Sequence, residues 1–175
     1  VLFRSECTLE KFVDTYPFFP YQTHLIPEVV KSLRTQGGRG EQLSGSTRTL
    51  IAITQDILRT GRGRYLEAPV GQVVSFDEVY ANLEAAEINP EVRREIQLIT
   101  TDVPGATLLT RRVAEVLYLL SGITYLPRTI DNLARLLAES VDDDIAAIAA
   151  RIRPELDRLQ KAKMVARIGE EYEFL

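Results

Sequence analysis

The chain has no tryptophan, one cysteine, one histidine and one methionine among 175 residues. A single thiol, Cys7, can form neither an internal disulfide nor a thiolate metal cage. A reducing cytoplasm is the simplest expectation for such a chain. A single imidazole, His24, rules out histidine metal clusters and would leave any serine–histidine–carboxylate triad resting on one residue. Its place near a helix start suits a surface or capping role. No apolar run approaches the ~18 residues that span a bilayer, and no signal peptide is visible. No membrane partner is expected. There is no internal repeat and no low-complexity tract, and the phosphate-cradling pattern Gly-x-x-x-x-Gly-Lys-[Ser/Thr] is missing.

What is present is an ordinary soluble, globular composition: 45% hydrophobic and 26% charged residues, enough to build a core and to keep it in solution. The formal charge of −4 argues against wholesale coating of a nucleic acid, though it leaves room for a local basic patch. The length suits one ordinary domain or two small ones. The chain opens on Val1 and stops at Phe174-Leu175, inside what reads as a strand, so it is expected to be a piece of a longer polypeptide.

Hydrophobic spacing supplies the elements. Leu25, Ile26, Val29, Val30 and Leu33 share one helical face, with Pro27 expected in the first turn. Gly37 to Gly40 should end that helix in a loop. Ser44 or Ser46 is the expected cap of a helix to about Thr60, which puts Arg48 in its first turn, where the helix dipole disfavours a cation. Gly61-Arg62-Gly63-Arg64 breaks it, and residues 65 to 74 read as irregular or extended. Ser75-Phe76-Asp77-Glu78 matches a capping box, and Val79, Tyr80 and Leu83 face inward after it. Asn89-Pro90-Glu91 opens a helix to about Thr100.

The last part has a definite order. A helix runs from about Leu108 to Ser121, followed by an extended Ile123–Leu126. Thr129 caps a second helix, and the Asp142–Asp144 run caps a third that continues past Pro154 with a bend or a break. Two short strands then flank Gly169-Glu170. Helix, strand, helix, helix, hairpin is the order of a winged helix, a nucleic-acid-binding arrangement.

Two segments frame the N-terminal part: Tyr16-Pro17-Phe18-Phe19-Pro20-Tyr21-Gln22, and Leu43-Ser44-Gly45-Ser46-Thr47-Arg48-Thr49-Leu50. With the winged helix behind them, they resemble the region after the nucleotide-binding core of AAA+ ATPases. More narrowly, the chain is similar to the large P-loop ATPases of bacterial BREX phage-defence systems, the BrxC/PglY type. Phe19-Pro20-Tyr21-Gln22 and Arg48 stand at the matching places, although Gly45-Ser46-Thr47-Arg48 is one residue longer than the family's Gly-x-Arg spacing. The resemblance implies a mostly α fold: a lid-like helical segment over 1–64, a helical connector over 65–104 and a winged-helix domain over 105–175. It also implies ATP and Mg²⁺ for the full-length protein only, with none bound by this fragment. Other BREX defence proteins, double-stranded DNA and further copies of the chain are the implied partners.

Among candidate residues, Arg48 would sense the nucleotide, as an arginine on an AAA+ lid helix can. A guanidinium suits that task because it is always charged and offers a fork of donors. A surface pairing with Glu41 or Asp56 is the alternative. Arg62 and Arg64, with Arg59, flank glycines and could meet phosphates, or form a solvated basic loop. Arg151, Arg158 and Lys161 fall within about a quarter-turn of one another on the third helix of the winged helix and would suit DNA backbone contacts. Asp143, Asp144, Glu155 and Asp157 on the same stretch, and the acidic Glu170-Glu171-Tyr172-Glu173, argue for a protein partner instead. Tyr16, Phe18, Phe19 and Tyr21 read as packing aromatics. No catalytic constellation is visible. The remaining readings are a stand-alone winged-helix DNA-binding regulator and a protein–protein scaffold.

Overall fold

The computed structural model describes residues 8–37, 43–83 and 87–175, with backbone only over 43–47. These residues form eight helices and one two-stranded antiparallel sheet. In chain order they are α1 (Leu9–Thr15), α2 (Pro20–Gln36), α3 (Leu43–Thr60), α4 (Asp77–Asn82), α5 (Pro90–Asp102), α6 (Leu108–Leu119), α7 (Ile130–Leu136), α8 (Ile145–Lys161), β1 (Val165–Ile168) and β2 (Glu171–Phe174). No helix among the described residues is long and apolar enough to cross a membrane.

Helix α6 lies at the centre. It packs on α4, α5, α7, α8 and β2, and every residue from Val113 to Leu119 is buried. A helix covered on all sides needs apolar residues around its whole circumference, and Val113, Val116, Leu117 and Leu119 supply them. Leu25, Ile26, Val29 and Val30 of α2, Ile57 of α3, Ile96 of α5, Leu133 of α7 and Leu156 of α8 join the same contiguous core. The hairpin docks through Phe174, whose ring meets Tyr118 edge-on at 5.8 Å.

The Phe19-Pro20-Tyr21-Gln22 motif has a local physical explanation. Pro20 takes the first helical position, where a missing N–H costs nothing. Gln22, fully buried, accepts from the Phe19 N–H at 2.8 Å and donates to the Val74 carbonyl at 2.7 Å. Phe19 stacks on Phe12 and on Tyr21. Val74 belongs to an extended strap that serves both ends of the chain. Gly71 N–H donates to the Tyr16 hydroxyl oxygen and Val74 N–H to the Pro17 carbonyl, while Val73 N–H donates to Glu139 O and Phe76 N–H to Leu136 O. These strap N–H groups thus go alternately to the turn between α1 and α2 and to the end of α7 with the residues after it.

Several expectations need correction. Helix α2 starts at Pro20, so Pro27 is interior and removes one rung of the ladder rather than opening the helix. Helix α3 starts at Leu43, which puts Ser44 and Ser46 inside it and Arg48 in the second turn, beyond the strongest part of the dipole. Ser75 is no cap: its hydroxyl accepts from Arg62 and Arg112. The Ile123–Leu126 stretch forms no strand; nearby, Arg128 O accepts from the Tyr172 N–H. Helix α8 is one continuous helix through Pro154, which excludes the alternative of a break there. Residues 38–40 of the expected glycine loop lie outside the described residues.

Other expectations hold. Asn89 caps α5 through Glu91 N–H with Pro90 next, Thr129 caps α7, and Asp144 caps α8 through two N–H groups. The hairpin pairs Val165 with Phe174 and Ile168 with Glu171, and Gly169 takes the left-handed φ of +64° that its turn needs.

Candidate functional site

The densest set of ionic contacts in the described structure lies where the strap enters α4. Asp77, 1% exposed, receives Arg112 from α6 at two points, Nε to Oδ2 at 2.9 Å and Nη2 to Oδ1 at 3.1 Å. Arg62, from the turn after α3, adds Nη2 to Oδ2 at 2.8 Å. Ser75 Oγ accepts from both guanidinium groups. Glu139, just after α7, approaches both arginines through Oε1, 2.7 Å from Arg112 and 3.4 Å from Arg62. Glu78 stands 3.7 Å from Arg62.

A carboxylate as buried as Asp77 persists only when paired and hydrogen-bonded. Burial pushes its pKa up, but Arg112, Arg62 and Ser75 outweigh burial and hold it below the usual range. Glu78 moves the other way: burial raises it, the Asp77 charge adds to that, and Arg62 only partly offsets it. Glu115, one turn beyond Arg112 on α6, is raised to about 7, chiefly by burial, although Arg111 Nε lies 2.8 Å away.

The glycines explain how Arg62 reaches inward. A Cβ on Gly61 would sit 2.3 Å from the Ile57 carbonyl oxygen, and one on Gly63 would sit 2.4 Å from the Tyr65 ring. Only glycine lets the chain turn this tightly under the Tyr65 ring. A cavity of about 300 Å³ opens beside the network, walled by Arg62, Arg112, Glu139, Tyr65, Gln72 and Leu108.

The other basic candidates are scattered. Arg48 is exposed on α3, with no pairing partner among the described residues. Arg64 pairs with Glu67 at the surface. Arg158 binds Glu155 at 2.7 Å, and Glu155 also accepts from the Thr110 hydroxyl. Arg151 and Lys161 are exposed on α8. Arg167 in the hairpin folds back over Tyr172, 5.7 Å from the ring centroid. Of the residues singled out from sequence, only Arg62 enters the network. Asp77, Arg112 and Glu139 were missed, and the usable signal was a charged pair, Asp77-Glu78, set inside the apolar run Val73 to Tyr80.

Among the described residues no three histidine, cysteine or carboxylate side chains converge as metal ligands would. Neither a protein-family model nor a solved structure matches the chain.

Proposed function

We propose that the chain is the coupling part of a BREX-type, AAA+-like P-loop ATPase, with a lid-like N-terminal segment and a winged helix formed by α6, α7, α8 and the hairpin. ATP and Mg²⁺ would be held by another part of a longer protein, and Arg48 would face that nucleotide. One observation supports coupling above the rest. Helix α3, which carries exposed Arg48, ends in the Gly61-Arg62-Gly63 turn, and Arg62 reaches Asp77 and Glu139 beside α4 and α7. Movement of α3 would therefore load the α6–α8 unit through ionic contacts rather than through a slack linker.

The test uses the full-length ATPase with Arg48→Ala and, separately, Arg62→Ala. The expected result is slower ATP turnover for the first. For the second, basal turnover is retained but its response to DNA or a defence partner is lost. Unchanged turnover with Arg48→Ala would sink the sensing role.

A protein partner for the winged helix has its own support. Arg158 is engaged by Glu155, and three aspartates, Asp142 to Asp144, lead into α8. Duplex DNA binding that weakens steeply with salt would instead select the DNA-binding reading.

A further inference from the structure

The cavity beside Arg62 and Arg112 is walled mainly by donors. Arg62 uses one terminal nitrogen for its contacts, so its Nε and its other terminal nitrogen make no hydrogen bond among the described residues; the same is true of one Arg112 terminal nitrogen. The Tyr65 hydroxyl also has no hydrogen-bond partner there, and burial, with Glu78 next, raises its pKa so that it stays an O–H donor. The one acidic wall, Glu139, is 50% exposed, whereas Arg112 is 13% exposed.

The Glu139 main chain is held independently of its side chain, which meets Arg112 and Arg62. Its N–H donates to Asp143 Oδ2 at 2.7 Å and its carbonyl accepts from Val73 N–H at 2.9 Å. The side chain can therefore rotate towards solvent while its main chain keeps both bonds. With the Glu139 carboxylate turned away, both guanidinium groups still hold Asp77, and Arg112 loses its contact 2.7 Å from Glu139, the one acidic group on the cavity wall.

We propose that this cavity is a gated oxyanion site for a phosphoryl group, and that the Glu139 carboxylate occupies the arginine pair until a phosphoryl ligand displaces it. Arg62 and Arg112 would grip the phosphoryl oxygens and Tyr65 would donate a third bond. A carboxylate already seated on the arginines lowers apparent affinity by the fraction of time it spends there. The gate does not depend on the coupling role proposed above and is tested on this chain alone.

The experiment is calorimetric titration of the chain at low ionic strength with inorganic phosphate, then with magnesium-free ATP. It compares wild type, Glu139→Gln, Tyr65→Phe, and Arg62→Ala on the Glu139→Gln background, each checked for folding by circular dichroism. Glu139→Gln is expected to bind at least about tenfold tighter than wild type, in line with removal of the competing group. Tyr65→Phe is expected to weaken binding severalfold, and the added Arg62→Ala to abolish it. ATP tighter than phosphate marks a nucleoside phosphate as the ligand; equal affinity marks phosphate itself, and either supports the site. No gain with Glu139→Gln, or binding indifferent to Tyr65 and Arg62, overturns it.

Discussion

Arg112 holds Asp77 with two separate nitrogens, 2.9 and 3.1 Å from its two oxygens, and so joins the central helix to the strap that enters α4. A two-point contact fixes orientation as well as charge, which a lysine could not do at the same place. The pair lies inside the protein, where it is costly to break.

Asp77→Asn should therefore destabilise the chain by about 3 kcal/mol or more at neutral pH, because it leaves Arg112 buried beside a neutral partner. Asp77 has a lowered folded pKa. Its contribution is present above the ordinary carboxylate range and is lost as pH falls through the folded value. Urea denaturation at pH 7 and at pH 3 should show the gap between wild type and variant narrowing in acid. A variant within 1 kcal/mol of wild type at pH 7 would show the network to be energetically idle.

Glu115 should give the opposite slope. Its carboxyl is raised from 4.5 to about 7, chiefly by burial, so the folded state binds its proton more tightly than the unfolded state does. Its contribution is intact below about pH 4.5 and is lost as pH rises through about 7, a change on the order of 3 kcal/mol. Glu115→Gln, which resembles the protonated form, should flatten that part of the profile. An unchanged slope in the variant would assign the pH dependence to other groups.

Gly122 marks a close approach between the turn after α6 and α2. A Cβ there would lie 1.8 Å from Ser32 Oγ and 2.7 Å from Gln36 Nε2. Gly122 is exposed and both neighbouring atoms end side chains that can turn aside, so Gly122→Ala should cost no more than about 1 kcal/mol. Adding Ser32→Ala removes the nearest atom and should recover part of the loss, read as a coupling energy in a double-mutant cycle. Strict additivity would show that the strain lies elsewhere.

Arg48→Ala should change stability by less than about 0.5 kcal/mol, as befits an exposed side chain with no described partner. Thermal unfolding of the isolated chain checks this. A larger loss would give Arg48 a structural task and weaken its reading as a sensor.

Local chemistry was legible in the sequence wherever it decided the outcome alone. The caps at Asn89, Thr129 and Asp144 and the hairpin all follow from residue type and spacing. The start of α2 was misplaced because Pro27 looked like an opening proline, while Pro20 with Gln22 provides the actual one. Ser75 and Asp77 were misread because Ser-x-x-Glu is also what a capping box looks like. Their partners stand far away in sequence, and no local pattern announces that Arg112 and Arg62 will meet there.

The members of that network, Arg62, Asp77, Arg112 and Glu139, come from four separated stretches of chain. Bringing such distant residues together costs loop-closure entropy that neighbouring contacts do not pay. We expect these buried side-chain contacts to close late, once the helices around α6 have met. They are then absent from the folding transition state and act on the way out of the native state rather than on the way in. The arginine–aspartate clasp is thus a brake on unfolding: its loss should shorten the lifetime of the native state while leaving the rate of folding nearly untouched.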